Sequence, residues 1–93
     1  MADSQTKKAI GATSTSILAA NAKRCYLSLI NDSDEAMYVK FDSAAVMNEG
    51  IRLNAGGGSL VLSVKDFWPQ FCGAVNGICA SGSKNLCVVE LEK

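Results

Sequence analysis

The chain of 93 residues has no histidine, a single proline and few aromatics: one Trp, two Tyr and three Phe. Without histidine the most common general base and the most common metal ligand are both missing. Net charge is also absent, because nine Lys and Arg are matched by nine Asp and Glu. A balanced, scattered charge offers no field to hold a phosphate backbone or an anionic bilayer, so nucleic acid and membrane are not expected partners. No apolar run approaches the roughly 18 residues of a membrane-crossing helix. The polar opening Met1 to Lys8 lacks the apolar stretch of a secretion signal, which gives the expectation of a product made in and released into the cytoplasm.

What is present is 48% hydrophobic residues in a chain the size of one small domain. A domain this short hides only about 60–65% of the surface of its unfolded form, so its core is marginal and contacts with other copies would add stability. Four cysteines, Cys25, Cys72, Cys79 and Cys87, would make a disulfide framework in a secreted chain; without a secretion signal they are expected as reduced thiols. None forms the tight C-x2-4-C pair by which two thiolates reach one zinc ion, so no metal or other cofactor is expected. Cys25 and Cys87 fall on the apolar side of alternating strands and read as small core hydrophobes.

Residues 1–11 show no apolar periodicity and carry Lys7 and Lys8, which reads as a flexible N-terminal arm before a single domain over 12–93. Thr13 to Leu18, rich in β-branched and hydroxyl side chains, suggests a first strand. Lys23 to Ile30 alternates, with Cys25, Leu27 and Leu29 on one face and Arg24, Tyr26 and Ser28 on the other. The polar turn Asn31 to Glu35 then joins it to a second alternating run, Met37, Val39 and Phe41, as an expected hairpin. Residues 44–49 are too few for a stable helix and are expected as a loop. Ile51 and Leu53 flank Arg52 in a short strand ended by Ala55-Gly56-Gly57-Gly58, where the chain must take positive φ or pass close to other backbone.

Leu60 to Val64 is apolar on nearly both faces, which suggests a central or covered strand. Ala74 to Ala80 has Val75 and Ile78 on opposite parities, a conflict that a bulge at Gly77 would reconcile. Ser81 to Asn85 reads as a hairpin loop, and the last strand sets Cys87, Val89 and Leu91 inward against Val88, Glu90 and Glu92. Leu27, Leu29, Val39, Leu62, Val89 and Leu91 are the expected core, with Arg24, Lys40, Glu90 and Glu92 facing solvent. Seven to eight short strands with turn signals between them point to an all-β antiparallel sandwich, jelly-roll-like or a partly closed barrel.

Chemistry finds little support in this pattern. Gly56-Gly57-Gly58-Ser59 lacks the lysine and the strand-to-helix setting of a phosphate loop. Ser and Cys have no histidine to activate them, and Asp32, Asp34 and Glu35 lie in a polar turn without the spaced oxygens and glycine of a calcium loop. The outlier is Phe67-Trp68-Pro69-Gln70-Phe71, where half of the aromatics gather around a proline. It has two readings: an anchor for a partner, since aromatics bury large area at low entropic cost, or a lid over one end of the sandwich.

Further residues carry a resemblance. Leu18-Ala-Ala-Asn21 leading into Arg24 and Tyr26-Leu27, then Asn31-x-Ser33, Tyr38-Val39, Gly50-Ile51-x-Leu53, Ala55-Gly56-Gly57 and Gly73-Ala74-Val75 before a final strand resemble the small β-sandwich accessory proteins of tailed-bacteriophage virions. The resemblance spans roughly residues 13–92 and implies a structural role without catalytic residues. The expected protein is a decoration or cement protein on the outer surface of the phage head, located in the virion, with the major capsid protein or another virion protein as partner and further copies of itself beside it. Lys7, Lys8, Phe67, Trp68 and Phe71 are the candidate partner-binding residues. A phage tail or fibre component is the alternative within that setting. A carbohydrate- or receptor-binding module is the alternative outside it, with Trp68 stacking on a sugar ring and Asp32 to Glu35 bonding its hydroxyls.

Overall fold

The computed structural model describes residues 3–63 and 72–92. Among them the regular elements are strands: β1 (Asp3–Ile10), β2 (Thr15–Leu18), β3 (Arg24–Asn31), β4 (Met37–Phe41), β5 (Ile51–Leu53), β6 (Ser59–Ser63), β7 (Val75–Cys79) and β8 (Lys84–Glu92). They form two four-stranded antiparallel sheets, ordered β1-β8-β3-β6 and β2-β7-β4-β5. The sheets stack as a β-sandwich, and the core between them draws Ile10, Leu27, Leu29, Leu86 and Val88 from the first and Ile17, Met37, Val39, Leu53, Val75 and Cys79 from the second.

Consecutive strands mostly change layer, and this corrects two expected hairpins. The Asn31 to Glu35 turn carries the chain from β3 in the first sheet to β4 in the second, and Ser81 to Ser83 carries it back from β7 to β8. Asn31 decides the first of these. Its side chain is fully buried and donates Nδ2 hydrogen bonds to Glu35 O at 2.6 Å and to Leu53 O at 2.9 Å, while its Oδ1 accepts from Ser33 Oγ at 2.6 Å. A buried amide is stable only when so partnered, and here one partner, Leu53, lies on the opposite layer while Ser33 and Glu35 lie in the turn itself. The glycine turn closes on the same place, since Gly56 N donates to Ser33 O and Gly57 N to Asn31 O. Gly58 has no room for a side chain: a Cβ there would lie 2.2 Å from Asn54 N. The Asn31-x-Ser33 and Gly56-Gly57 motifs thus meet at one end of the sandwich as turn-forming residues.

The opposite end is organised by Arg24, expected to face solvent but buried at 3% exposure. A register shift between Arg24 and Tyr26 reverses the alternation of β3 at that point, leaving Cys25 as the extra residue, half-buried. The guanidinium then donates to Glu90 Oε2 at 2.7 Å, Gly73 O at 2.8 Å and Ala19 O at 2.9 Å.

Leu27, Leu29 and Val39 lie in the core as expected, and Leu62 packs partly buried against it. β8 is reversed. Leu86 and Val88 point inward at 0% and 1% exposure, whereas Cys87, Val89 and Leu91 lie on the other parity and are half-buried. Lys84, Glu90 and Glu92 all share the parity of Leu86 and Val88, so alternation within the strand points to the wrong face. Its pairing with β3, Leu29 opposite Val88 and Asn31 opposite Leu86, decides the orientation. β6 is likewise an edge strand rather than a central one, with Val61 52% exposed. β7 runs without a bulge at Gly77; the irregularity lies in β2 between Ser16 and Leu18, and Ile78 faces away from the core.

Residues 3–10, expected as a flexible arm, instead form β1. It pairs with β8 over eight residues, from Asp3 opposite Leu91 to Ile10 opposite Lys84. Gln5 to Ala9 are exposed, so apart from Ile10 no apolar side chain there is buried. Backbone hydrogen bonding holds such a strand, and it leaves no hydrophobic pattern in the sequence.

Candidate interaction surface

The outward faces of the two sheets differ. On the second sheet Tyr38 and Ile78 point away from the core, and residues 42–50 fold over them, burying Ala45 against both and packing Met47 alongside. This loop is pinned by Asp42 N to Ala74 O at 2.8 Å, Asn76 Nδ2 to Ser43 O at 2.7 Å, Ala45 N to Ser14 Oγ at 2.8 Å and the Lys40–Glu49 ion pair at 2.6 Å. Arg52 lies over the Tyr38 ring, 5.7 Å from its centroid, and donates to the Tyr38 hydroxyl at 3.1 Å. The chain covers this apolar face itself.

The outward face of the first sheet has no such cover among the described residues. The ladder registers place Cys87, Ile30 and Ser59 in one row, Val89, Ser28 and Val61 in the next, and Leu91, Tyr26 and Ser63 in a third. These nine positions carry no charged side chain. Ile30 is 39% and Val61 52% exposed, and Ser28 is buried between its neighbours. Lys7 and Gln5 continue the first two rows onto β1, opposite Cys87 and Val89. The result is an uncharged surface in which four aliphatic side chains and Tyr26 alternate with three serines and Cys87, with polar positions beside it on β1, as in the centre and rim of a protein contact.

Of the residues singled out from sequence, Lys7 and Lys8 are exposed neighbours on β1, opposite Cys87 and Leu86, with only Lys7 on the open face. Phe67, Trp68 and Phe71 lie outside the described residues. Tyr26 and Ser28 lie on the outward face where the alternation of β3 puts them, whereas Ile30, Val61, Val89 and Leu91 were missed as residues of that face. For Val61, Val89 and Leu91 the signal is the presence of apolar side chains on both parities of β6 and β8: such a strand in a two-layer fold must turn some of them outward.

The acidic turn has local partners. Asp34 pairs with Lys84 at 2.7 Å, and this hydrogen bond lowers the Asp34 pKa from its ordinary 3.8 and raises that of Lys84 from 10.5. Glu35 accepts from the backbone N and the hydroxyl of Ser81, which lowers its pKa from 4.5. Asp32 Oδ2 accepts from Asn85 Nδ2 at 3.3 Å. These bonds brace the β3–β4 turn against the β7–β8 turn.

Compared with protein-family models, with curated proteins and with solved structures, the chain matches none.

Proposed function

We propose that this chain is a non-enzymatic structural protein of a tailed-phage particle, a decoration or cement protein seated on the outer surface of the head through the open face of its first sheet. The observation that carries the reading is the difference between the two outward faces. One apolar face is roofed by the chain's own 42–50 loop, whereas the other presents Ile30 and Val61 to solvent among uncharged neighbours. An uncharged face that exposes Ile30 and Val61 gains by meeting another protein surface and offers nothing to a polyanion. The absence of histidine and the motif resemblance to small virion proteins favour an assembly role over an enzymatic one.

The test is co-sedimentation with intact particles, followed by separation of heads from tails. Wild-type protein is expected with heads, and Val61→Glu is expected to reduce occupancy at least tenfold, about the effect of leaving one buried charge unpaired at a contact. Val46 is also exposed, at 42%, but lies on the covering loop, so Val46→Glu serves as the control and should bind normally. Absence from particles, or full occupancy by Val61→Glu, would refute the assignment.

A further inference from the structure

We infer that β1 is an exchangeable strand, and that the edge of β8 it covers is a docking site for residues 3–9 of a second copy of this chain. Two observations lead there. First, β1 contributes only Ile10 to the core: Gln5, Thr6, Lys7, Lys8 and Ala9 are exposed, and that stretch is held by its ladder to β8. Releasing it forfeits backbone hydrogen bonds but regains chain entropy, two quantities of similar size per residue, so this strand opens far more readily than the sandwich unfolds.

Second, the point at which it would peel is defined. Ile10 is fully buried, and the residues around it are tied to β7 and β2. Cys79 N donates to Gly11 O at 3.0 Å, Cys79 Sγ contacts Ile10 O at 3.3 Å, and Gly11 N donates to Thr15 Oγ1 at 2.9 Å. Opening therefore stops at Ala9, leaving the core closed and the β8 edge bare. Because the ladder takes up all of these residues, exchange in this register sets the Lys84–Asn85 ends of the two β8 strands side by side.

The occupant is a second copy because the complementary strand is the chain's own. The register seen within one molecule, Gln5 opposite Val89 and Lys7 opposite Cys87, can be reproduced between molecules without any new contact. A bare sheet edge selects an extended strand, and this one matches in length. Reciprocal exchange gives a closed dimer; passing the strand onward links copies in a ring or around a shell, where high local concentration favours exchange. Only copies of this chain are required, so the inference does not depend on a particle.

Lys7→Cys tests it, because position 7 stands directly across the ladder from Cys87, at a spacing close to disulfide reach. The full-length variant is held at a series of concentrations until exchange equilibrates, oxidised with oxidised glutathione and run on a non-reducing gel. Closure within one chain gives a cross-linked monomer and closure between chains a cross-linked dimer. While monomer predominates, the dimer-to-monomer ratio is expected to rise about tenfold for each tenfold rise in concentration, as mass action requires. The dimer should vanish from Lys7→Cys/Cys87→Ser. A ratio independent of concentration, or a dimer that persists in the double variant, would overturn the inference. Wild-type chain mixed with a 15N-labelled copy supplies a readout free of the disulfide: native mass spectra should contain dimers of mixed label, and monomers alone across the concentration range would likewise overturn it.

Discussion

Val88 and Val89 are chemically identical neighbours on β8 whose side chains leave opposite faces, which makes truncating each in turn a direct test of the strand's register. Val88 is 1% exposed and packs in the core opposite Leu29; Val89 is half-buried on the outward face, opposite Ser28. Val88→Ala removes two buried carbon groups at about 0.8 kcal/mol each, or about 1.6 kcal/mol. If the surroundings do not collapse, a residual void near 50 Å³ adds about 1.2 kcal/mol, for a total of about 3. Val89→Ala loses about half of the transfer contribution and opens no cavity, so its cost is about 0.8 kcal/mol or less. Both lose the same strand propensity, and that part cancels in the comparison. With an unfolding entropy of about 0.2 kcal/mol per kelvin for a chain this size, Val88→Ala should lower Tm by about 8–15 °C and Val89→Ala by about 4 °C or less. Thermal melts and urea titrations at unchanged m-value measure both. A Val89→Ala variant as damaged as Val88→Ala, or more so, would refute the register and with it the open face.

Arg24→Met should cost about 3–5 kcal/mol in urea unfolding, because it strands the Glu90 carboxylate and the Gly73 and Ala19 carbonyls; adding Glu90→Leu should recover part of that loss, and no recovery would count against the ion pair as the cause. The acidic turn predicts a pH response. Asp34 and Glu35 have folded pKa values below their ordinary 3.8 and 4.5, so the stability they contribute is fully present above those values and is lost as pH falls through the lowered ones. Asp34→Asn/Glu35→Gln should therefore flatten the acid limb of a stability–pH profile below about pH 4.5, and an unchanged limb would refute the linkage. Lys84 has the opposite sign: its raised pKa contributes stability below its ordinary 10.5 that is lost as pH rises past the raised value.

The sequence by itself determined the class of the fold. Short alternating runs such as Leu27/Leu29 and Met37/Val39, separated by Asn-, Asp- and Gly-rich turns, admit little besides an antiparallel sandwich, because a period of two assigns side chains to faces within each strand. It also set the positions of the turns, and placed Leu27, Leu29 and Val39 inward. What it left undecided is everything that depends on the partner of a strand. A polar turn such as Asn31 to Glu35 has the same composition whether it closes a hairpin or crosses between layers, and the buried Asn31 amide, bonded to Leu53 on the other sheet, settles which. The charges of β8, Lys84, Glu90 and Glu92, share the parity of Leu86 and Val88, so alternation points the wrong way and only the ladder to β3 turns those two inward and leaves Val89 and Leu91 outside. β1 is the extreme case, since a strand held through its backbone can carry any polar sequence. Faces within a strand follow from local geometry, but pairing is a contact between residues far apart in the chain, and the open face and the exchangeable edge come into existence only with that pairing.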